Sequence, residues 1–288
     1  MYLSVVIPAK NEEKGLRKTI PELLRVLSGE FEIIVVNDGG DDDSLKVLAE
    51  YPVTVIEHKY SKGNGAAIKS GLRAASGEIV VCMDADGQHQ PKEIPILVAK
   101  LEEGYDMVVG ARNRKGQAGV HRSLANGLYN RFASWVVGHK IEDLTSGFRA
   151  VKREMFLEFI SLLPNKFSYP TTVTMSFFRA GYSVGYVPIE VLDRVKGTKS
   201  HINITQDGVR FLLIVFKIGT LFSPLKIFTP VSLALFLMGC GYYGFTFITA
   251  GRFTNMSALL FTTSLMIFLL GLISEQITAL LYRDGPEK

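Results

Sequence analysis

The chain has 288 residues, enough for one large domain or one domain with an appendage. Its formal net charge of +4 carries no broad signature of polyanion binding. The hydrophobic fraction of 47% is ordinary in amount but uneven in placement. No charged residue occurs from Ile227 to Ala250 or from Phe253 to Ser274, and each run passes the roughly 20 residues needed to cross a bilayer. Met1 to Pro8 leads straight into a strand, without a basic start and an apolar stretch behind it, so no signal peptide is expected. Cys82 falls in a predicted strand and Cys240 in a predicted span, which implies no disulfide framework and fits a reducing cytosolic face.

Leu3 to Ile7 reads as a short buried strand stopped by Pro8, and Pro8-Ala9-Lys10-Asn11-Glu12 follows it. Leu16, Ile20, Leu23, Leu24 and Leu27 then recur on one helical face. Phe31 to Val36 is a second strand, ending in Asn37-Asp38-Gly39-Gly40 and the acidic run Asp41 to Asp43, which reads as a solvated turn and helix cap. Asp38, at a strand's carboxyl end, is placed to accept hydrogen bonds from a nucleotide base or ribose. Val53 to Glu57 is a third strand. Lys62-Gly63-Asn64-Gly65-Ala66-Ala67 opens the next helix, where glycines permit close backbone approach and the helix N-terminus favours an anion.

The fourth strand, Ile79 to Met83, is an apolar, partly β-branched run that reads as buried on both faces. It ends in Asp84-Ala85-Asp86-Gly87-Gln88-His89. Two carboxylates so placed repel each other and lose solvation, and a hard divalent cation resolves both costs. Asp84, Asp86 and the amide oxygen of Gln88 are oxygen ligands of the kind Mg²⁺ or Mn²⁺ prefers. Pro91 starts a helix to about Glu103, and Asp106 to Gly110 is a fifth strand. Five alternations of strand and helix argue a mostly parallel sheet with helices on both faces. No GxGxxG follows the first strand, so an ordinary dinucleotide site is not supported.

PAKNE, NDG, KGNGAAI, MDADGQH and the GAR of Gly110 to Arg112 together resemble glycosyltransferase family two, an inverting, nucleotide-sugar-dependent family of GT-A fold. The DADxQH form, Pro91 and two C-terminal spans look most like the polyprenyl-phosphate glycosyltransferases, such as dolichyl-phosphate mannose synthases and undecaprenyl-phosphate sugar transferases. The resemblance implies that Pro8, Ala9, Glu12 and Asp38 contact the nucleotide and that Asp84, Asp86 and Gln88 hold the metal on the diphosphate. His121 to Val137 reads as a helix carrying Arg122 and Arg131. EDLTSGFRA at Glu142 to Ala150 resembles the family's DPxSGF segment, with Leu144 where relatives often carry proline. RVKGTKSHI at Arg194 to Ile202 is similar to a phosphate-contacting loop of the family but one residue longer, which leaves open which of Lys196, Lys199 and Ser200 makes contact.

The implied reaction moves a sugar, UDP-glucose or GDP-mannose being the first expected donors, onto a lipid phosphate. Arg112 and Arg194 are the cations expected near the leaving diphosphate, with the metal on Asp84 and Asp86. Lys62 is the expected basic residue of the glycine-rich turn. A lipid monophosphate has its second pKa near about 6 and needs a holder more than a base. Arg122, Arg131, Lys199 and Ser200 are candidate holders, and Asp143 is the candidate base or sugar-orienting carboxylate. His89 and His121 read as structural or supporting groups.

Asn203 to Phe222 is amphipathic, with Arg210 and Lys217 among apolar residues, and can lie at a membrane interface. The expected division is a catalytic domain at 1–202, an interfacial helix at 203–224 and a two-span anchor at 225–288 turning at Gly251-Arg252. Lys217, Lys226, Arg283 and Lys288 flank the side on which both soluble ends emerge, which expects cytosolic termini; Arg252 alone opposes it. Glu275 and Gln276 read as interfacial. Two other readings compete. A processive polysaccharide synthase is opposed by QDGVRF at Gln206 to Phe211 in place of QxxRW, and by only two spans. A silent, membrane-held sugar-nucleotide sensor is opposed by the complete metal triad. A homo-oligomer is compatible with the short anchor.

Overall fold

The structure, a computed structural model, describes residues 2–112, 120–166, 168–192, 216–217 and 219–281, the side chains of 120–126 and 281 excepted. The chain divides into two compact units, residues 1–134 with 139–201, and residues 135–138 with 202–288.

The first unit is built on a seven-stranded sheet. Its strands are β1 (Leu3–Ala9), β2 (Phe31–Asn37), β3 (Thr54–Glu57), β4 (Ile79–Cys82), β5 (Met107–Arg112), β6 (Arg149–Lys152) and β7 (Val184–Ile189), in the order β3-β2-β1-β4-β6-β5-β7. Helices α1 (Glu13–Val26), α2 (Ser44–Leu48), α3 (Asn64–Ala74), α4 (Ile94–Glu102), α5 (Val120–Val137), α6 (Arg153–Glu158) and α7 (Tyr169–Arg179) connect or follow them. The core is the expected one. Val5, Ile7, Ile33, Val35, Val81 and Val108 are fully or almost fully buried, and Leu16, Ile20 and Leu23 of α1 pack into the same cluster.

Two features differ from the five-strand expectation. β6 runs antiparallel to both neighbours, with Cys82 opposite Arg149 and Val108 opposite Ala150. β7 forms the far edge, parallel to β5. Neither carries a strong strand signal: β6 is four residues that begin with Arg149 and end with Lys152, and β7 contains Gly185 and Pro188, which an edge strand tolerates. The sheet is therefore mixed, though mostly parallel.

The topology fixes where a ligand crevice forms. From β1 the chain moves outward through β2 to β3, then returns to place β4 on the other side of β1. The strand order reverses between β1 and β4, and ligands of open α/β sheets bind beyond the carboxyl ends of strands at such a switch point. Pro8-Ala9 and Asp84 stand there.

The second unit contains α8 (Pro224–Ala250) and α9 (Asn255–Leu281), each 27 residues and so about 40 Å long. Gly251, at φ 60°, ends α8 in the left-handed conformation. Small and hydroxyl side chains face the partner helix: Ser232 Oγ donates to the Ser264 carbonyl at 2.8 Å, Ser264 Oγ to the Ser232 carbonyl at 2.9 Å, and Gly239 and Gly271 admit Phe261 and Phe228. Leu237, Met238, Ile248, Met266 and Leu280 point outward and are exposed. Close-packing small residues inside and large apolar residues outside suit a hydrocarbon surrounding. Glu275 accepts the Leu225 amide at the start of α8 at 3.3 Å. Most of the expected interfacial stretch, Asn203 to Phe222, lies outside the described residues, as do Arg283 and Lys288.

Candidate active site

An open cleft of about 330 Å³ lies at the switch point, lined by Pro8, Ala9, Lys10 and Glu12 after β1, Asp38 after β2, Ser61, Gly63, Asn64 and Ala67 at the start of α3, and Asp84, Ala85 and Asp86 after β4. Of the nucleotide contacts expected from the sequence, Pro8, Ala9, Glu12, Asp38 and Asp84 are there together; Lys62 is exposed beside the cleft, its ammonium 5.8 Å from the Tyr60 ring. The PAKNE segment is shaped by Asn11, which takes φ 56° and exchanges hydrogen bonds with Asp41. Asp42 accepts the Ser44 and Glu13 amides, so the acidic turn caps the starts of α2 and α1 as expected of it.

Asp38 is spent on the fold. Its carboxylate, 4% exposed, meets four donors: His58 Nδ1 at 2.7 Å, Ser61 Oγ at 2.8 Å, and the Lys62 and Gly63 amides at 2.8 Å each. His58 Nε2 in turn meets Ser70 Oγ at 2.9 Å. Burial pushes the Asp38 carboxyl up, but the His58 ring, the two amides and the Ser61 hydroxyl outweigh it and hold the group below its ordinary value. The glycine-rich turn does bind an anion, but that anion is Asp38, and the Ala66 amide is taken by the Asn165 carbonyl at 2.8 Å. Asp38 thereby holds the turn at 61–63 while itself lining the cleft.

The central carboxylates are differently placed. Asp84 and Asp86 line the cleft, and backbone fits tightly around them. A β-carbon on Gly15 of α1 would stand 2.0 Å from the Ala85 carbonyl, and one on Gly147 would stand 2.9 Å from Asp84 Oδ2. His89 is buried, stacks on Phe148 at 5.0 Å, and receives the Asp84 amide on Nδ1 at 3.3 Å, which is the supporting role expected of it. The Gln88 side-chain Nε2 donates to the Leu192 carbonyl at 3.3 Å, a bond that does not use its amide oxygen, and Gln88 does not line the cleft. Among the described residues no group of three His, Cys, Asp or Glu side chains is arranged to hold a metal. Two carboxylates on an open cleft nevertheless fit a hard cation that keeps water and substrate phosphate in its remaining positions.

Arg112 and Asp143, expected as separate catalytic groups, are bound to each other. Arg112 Nε and Nη2 reach the two Asp143 oxygens at 2.7 and 2.9 Å, and Nη2 also donates to Thr145 Oγ1. Asp143 further accepts the Arg112, Thr145 and Ser146 amides. Burial pushes Asp143 up, yet the guanidinium and amides hold it below the ordinary carboxylate value, which makes it a weak base. Burial also presses Arg112 down, and Asp143 more than compensates. Leu144 has a reason to differ from proline: its amide donates to Asn130 Oδ1 at 3.1 Å. Arg131 is exposed on α5, the side chains of His121 and Arg122 lie outside those described, and Arg194, Lys196, Lys199 and Ser200 also lie outside the described residues. Sequence reasoning passed over His58 and Arg149, two buried basic residues, because a single His or Arg in a sequence carries no sign of burial.

A mostly parallel sheet with paired carboxylates at its switch point fits the glycosyltransferase expectation. Residues 4–159, more than half of the chain, match Glycosyl transferase family 2, and residues 223–280 match the GtrB C-terminal hairpin. The chain belongs to glycosyl transferase family 2. It is 29% identical to the putative glycosyltransferase CsbB of Bacillus subtilis, over 97% of this chain and 88% of that one. It is 28% identical to the undecaprenyl-phosphate 4-deoxy-4-formamido-L-arabinose transferase of Pseudomonas fluorescens, over 96% of this chain and 85% of that one. To the Proteus mirabilis protein of the same name it is 35% identical over 59% of this chain, a match spanning 57% of that relative. Among solved structures, glucosyl-3-phosphoglycerate synthase from Mycobacterium tuberculosis with Mn²⁺, UDP and glucosyl-3-phosphoglycerate shares the fold, with a TM-score of 0.59 at 22% identity over 74% of this chain and 79% of that one.

Proposed function

We propose that the protein transfers a sugar, with inversion, from a nucleotide-sugar of the UDP-glucose or GDP-mannose type to a membrane polyprenyl phosphate. The observation that carries this reading is the combination, in one chain, of the Asp84–Asp86 cleft and a hairpin of two apolar helices. Relatives named for undecaprenyl phosphate support the acceptor, and the fold neighbour crystallised with UDP and Mn²⁺ supports a uridine donor and a divalent ion.

In this reading Pro8, Ala9 and Glu12 contact the nucleotide, and Asp38 fixes the turn at 61–63 beneath it. Asp84 and Asp86 hold Mg²⁺ or Mn²⁺, which when bound offsets charge on the leaving diphosphate. Arg112, kept charged and oriented by Asp143, and Arg194 supply further positive charge at the diphosphate. Asp143 acts through Arg112 rather than as a base, and none is required, because much of a phosphate monoester is already dianionic at neutral pH. Arg122, Arg131, Lys199 and Ser200 hold the acceptor phosphate. Residues 1–202 form the catalytic part, 203–224 an interfacial helix and 225–288 the anchor, with both ends in the cytoplasm.

The test is a product assay on the full chain in vesicles, with Mg²⁺ or Mn²⁺, undecaprenyl phosphate and a panel of labelled UDP- and GDP-sugars. A labelled, charged lipid product from one donor is the expected result. Donor binding without any lipid product across the panel would overturn the acceptor assignment.

A further inference from the structure

Arg149 is the largest fully buried side chain among the described residues, at 0% exposure, yet among those residues no carboxylate forms an ion pair with it. Its guanidinium donates to neutral acceptors only: the Pro170 carbonyl and Thr174 Oγ1 at 3.1 Å each, Met107 Sδ at 3.8 Å, and the Ser146 carbonyl. Among the described residues its Nε has no hydrogen-bond partner. A buried charge without a counter-charge costs several kcal/mol, by general estimates of about that size, so its retention calls for a physical role.

The role follows from what it grips. Arg149 opens β6 directly opposite Cys82, the last residue of β4, so its side chain lies under the point where the chain leaves the sheet toward Asp84. From there Nη2 holds the Ser146 carbonyl, while Tyr169 Oη donates to the next carbonyl, that of Gly147, at 3.1 Å. The two holders are themselves stacked, with the guanidinium carbon 5.7 Å from the Tyr169 ring centre. Tyr169 is 2% exposed and begins α7. Gly147 rests against the Asp84 carboxylate: a β-carbon there would stand 2.9 Å from Oδ2, so a side chain at 147 would push that carboxylate aside.

Resting on the donor-site reading above, we propose that Arg149 and Tyr169 are positioning residues of the site: they hold Ser146–Gly147 as a rigid shelf that fixes the orientation of the Asp84 carboxylate. A guanidinium suits this task because its planar fork of fixed donors can hold the Ser146 carbonyl while bracing α7, a geometry that a lysine's single ammonium matches only in part. Groups that orient a metal-ligating carboxylate typically change metal affinity or activity by 10–100-fold when removed, of that order.

The experiment uses the full-length protein in detergent, with Tyr169→Phe, Arg149→Met and Arg149→Lys. Mn²⁺ binding is read by electron paramagnetic resonance, beside thermal unfolding and the Mn²⁺ dependence of sugar transfer. The expected result for Tyr169→Phe is a roughly 10-fold weaker Mn²⁺ affinity with near-parental melting and a larger change in half-saturating Mn²⁺ than in maximal rate. Arg149→Met should weaken binding further, and Arg149→Lys should recover part of the loss. Tyr169→Phe decides the matter if Arg149→Met does not fold. Parental Mn²⁺ affinity and transfer in a folded Tyr169→Phe protein would overturn the shelf while leaving the donor site intact. A parent protein that binds no Mn²⁺ would overturn the donor-site reading, and the shelf with it.

Discussion

The outer and central carboxylates of the cleft have opposite fates. Asp38 and Asp143 stand at the two flanks, each buried and each met by protein donors: four contacts on Asp38, and a two-point guanidinium with three amides on Asp143. Asp84 and Asp86 line the cleft: Asp86, itself buried, accepts the Gln88 amide at 3.1 Å, and Asp84 lies against Gly147 with His89 Nδ1 3.9 Å from its Oδ2. The difference teaches that carboxylates at strand ends are not interchangeable. A carboxylate that gathers many protein donors builds the site, and one that lines the crevice faces the space a ligand would take.

The largest effect expected from this division is on Asp86. Asp86→Ala should reduce sugar transfer at least about 1,000-fold with melting unchanged; full activity, insensitive to chelation, would remove the metal-site assignment. Next comes the flank pair. Asp143→Ala leaves Arg112 half-buried without its partner and should destabilise the protein by about 3 kcal/mol, measured by denaturant unfolding. Asp38→Asn replaces an acceptor-only group by one that points an amide at two donors, and should cost about 2 kcal/mol together with a raised donor KM.

The pH dependence sharpens the same contrast. Folding lowers both Asp38 and Asp143 from an ordinary value of 3.8. Their stabilisation is therefore fully present above that value and is lost as pH falls through the lower, folded-state values. Melting temperature should be flat from neutrality to about pH 5 and decline below pH 4, and the decline should be shallower in Asp143→Asn. The smallest effect is expected at Gln88. Because Gln88 does not line the cleft, Gln88→Ala should change half-saturating Mn²⁺ less than about 3-fold, equivalent to about 0.65 kcal/mol; a loss comparable with Asp86→Ala would support it as a ligand.

Much of the fold was legible because it rests on local pattern. Buried β-branched runs marked β1, β2 and β4, and the abrupt switch from IVVCM to DAD marked the crevice wall. Two uninterrupted apolar runs marked α8 and α9. What escaped was non-local. β6 and β7 lack a strand pattern of their own and are recruited by neighbours. The four contacts on Asp38 come from 20 to 25 residues away, and Arg112 meets Asp143 across 31. No periodicity predicts such meetings. Asp38, Lys62 and Arg112 could be singled out from their motifs, while their partners, which decide what each carboxylate or cation can do, came only from the three-dimensional arrangement. Arg149 shows the same limit most sharply, since an arginine in a sequence reads as surface until its burial is known.

The central claim is the division of labour among the four carboxylates. The most direct measurement is calorimetric titration of UDP and GDP, with and without Mn²⁺, into the full-length Asp86→Asn and Asp38→Asn proteins, alongside their melting curves. The account predicts that Asp86→Asn melts like the parent and loses the Mn²⁺-dependent part of nucleotide binding, whereas Asp38→Asn melts earlier and keeps that Mn²⁺ dependence. The reverse pattern, with Asp38→Asn abolishing the Mn²⁺ effect at parental stability, would contradict it.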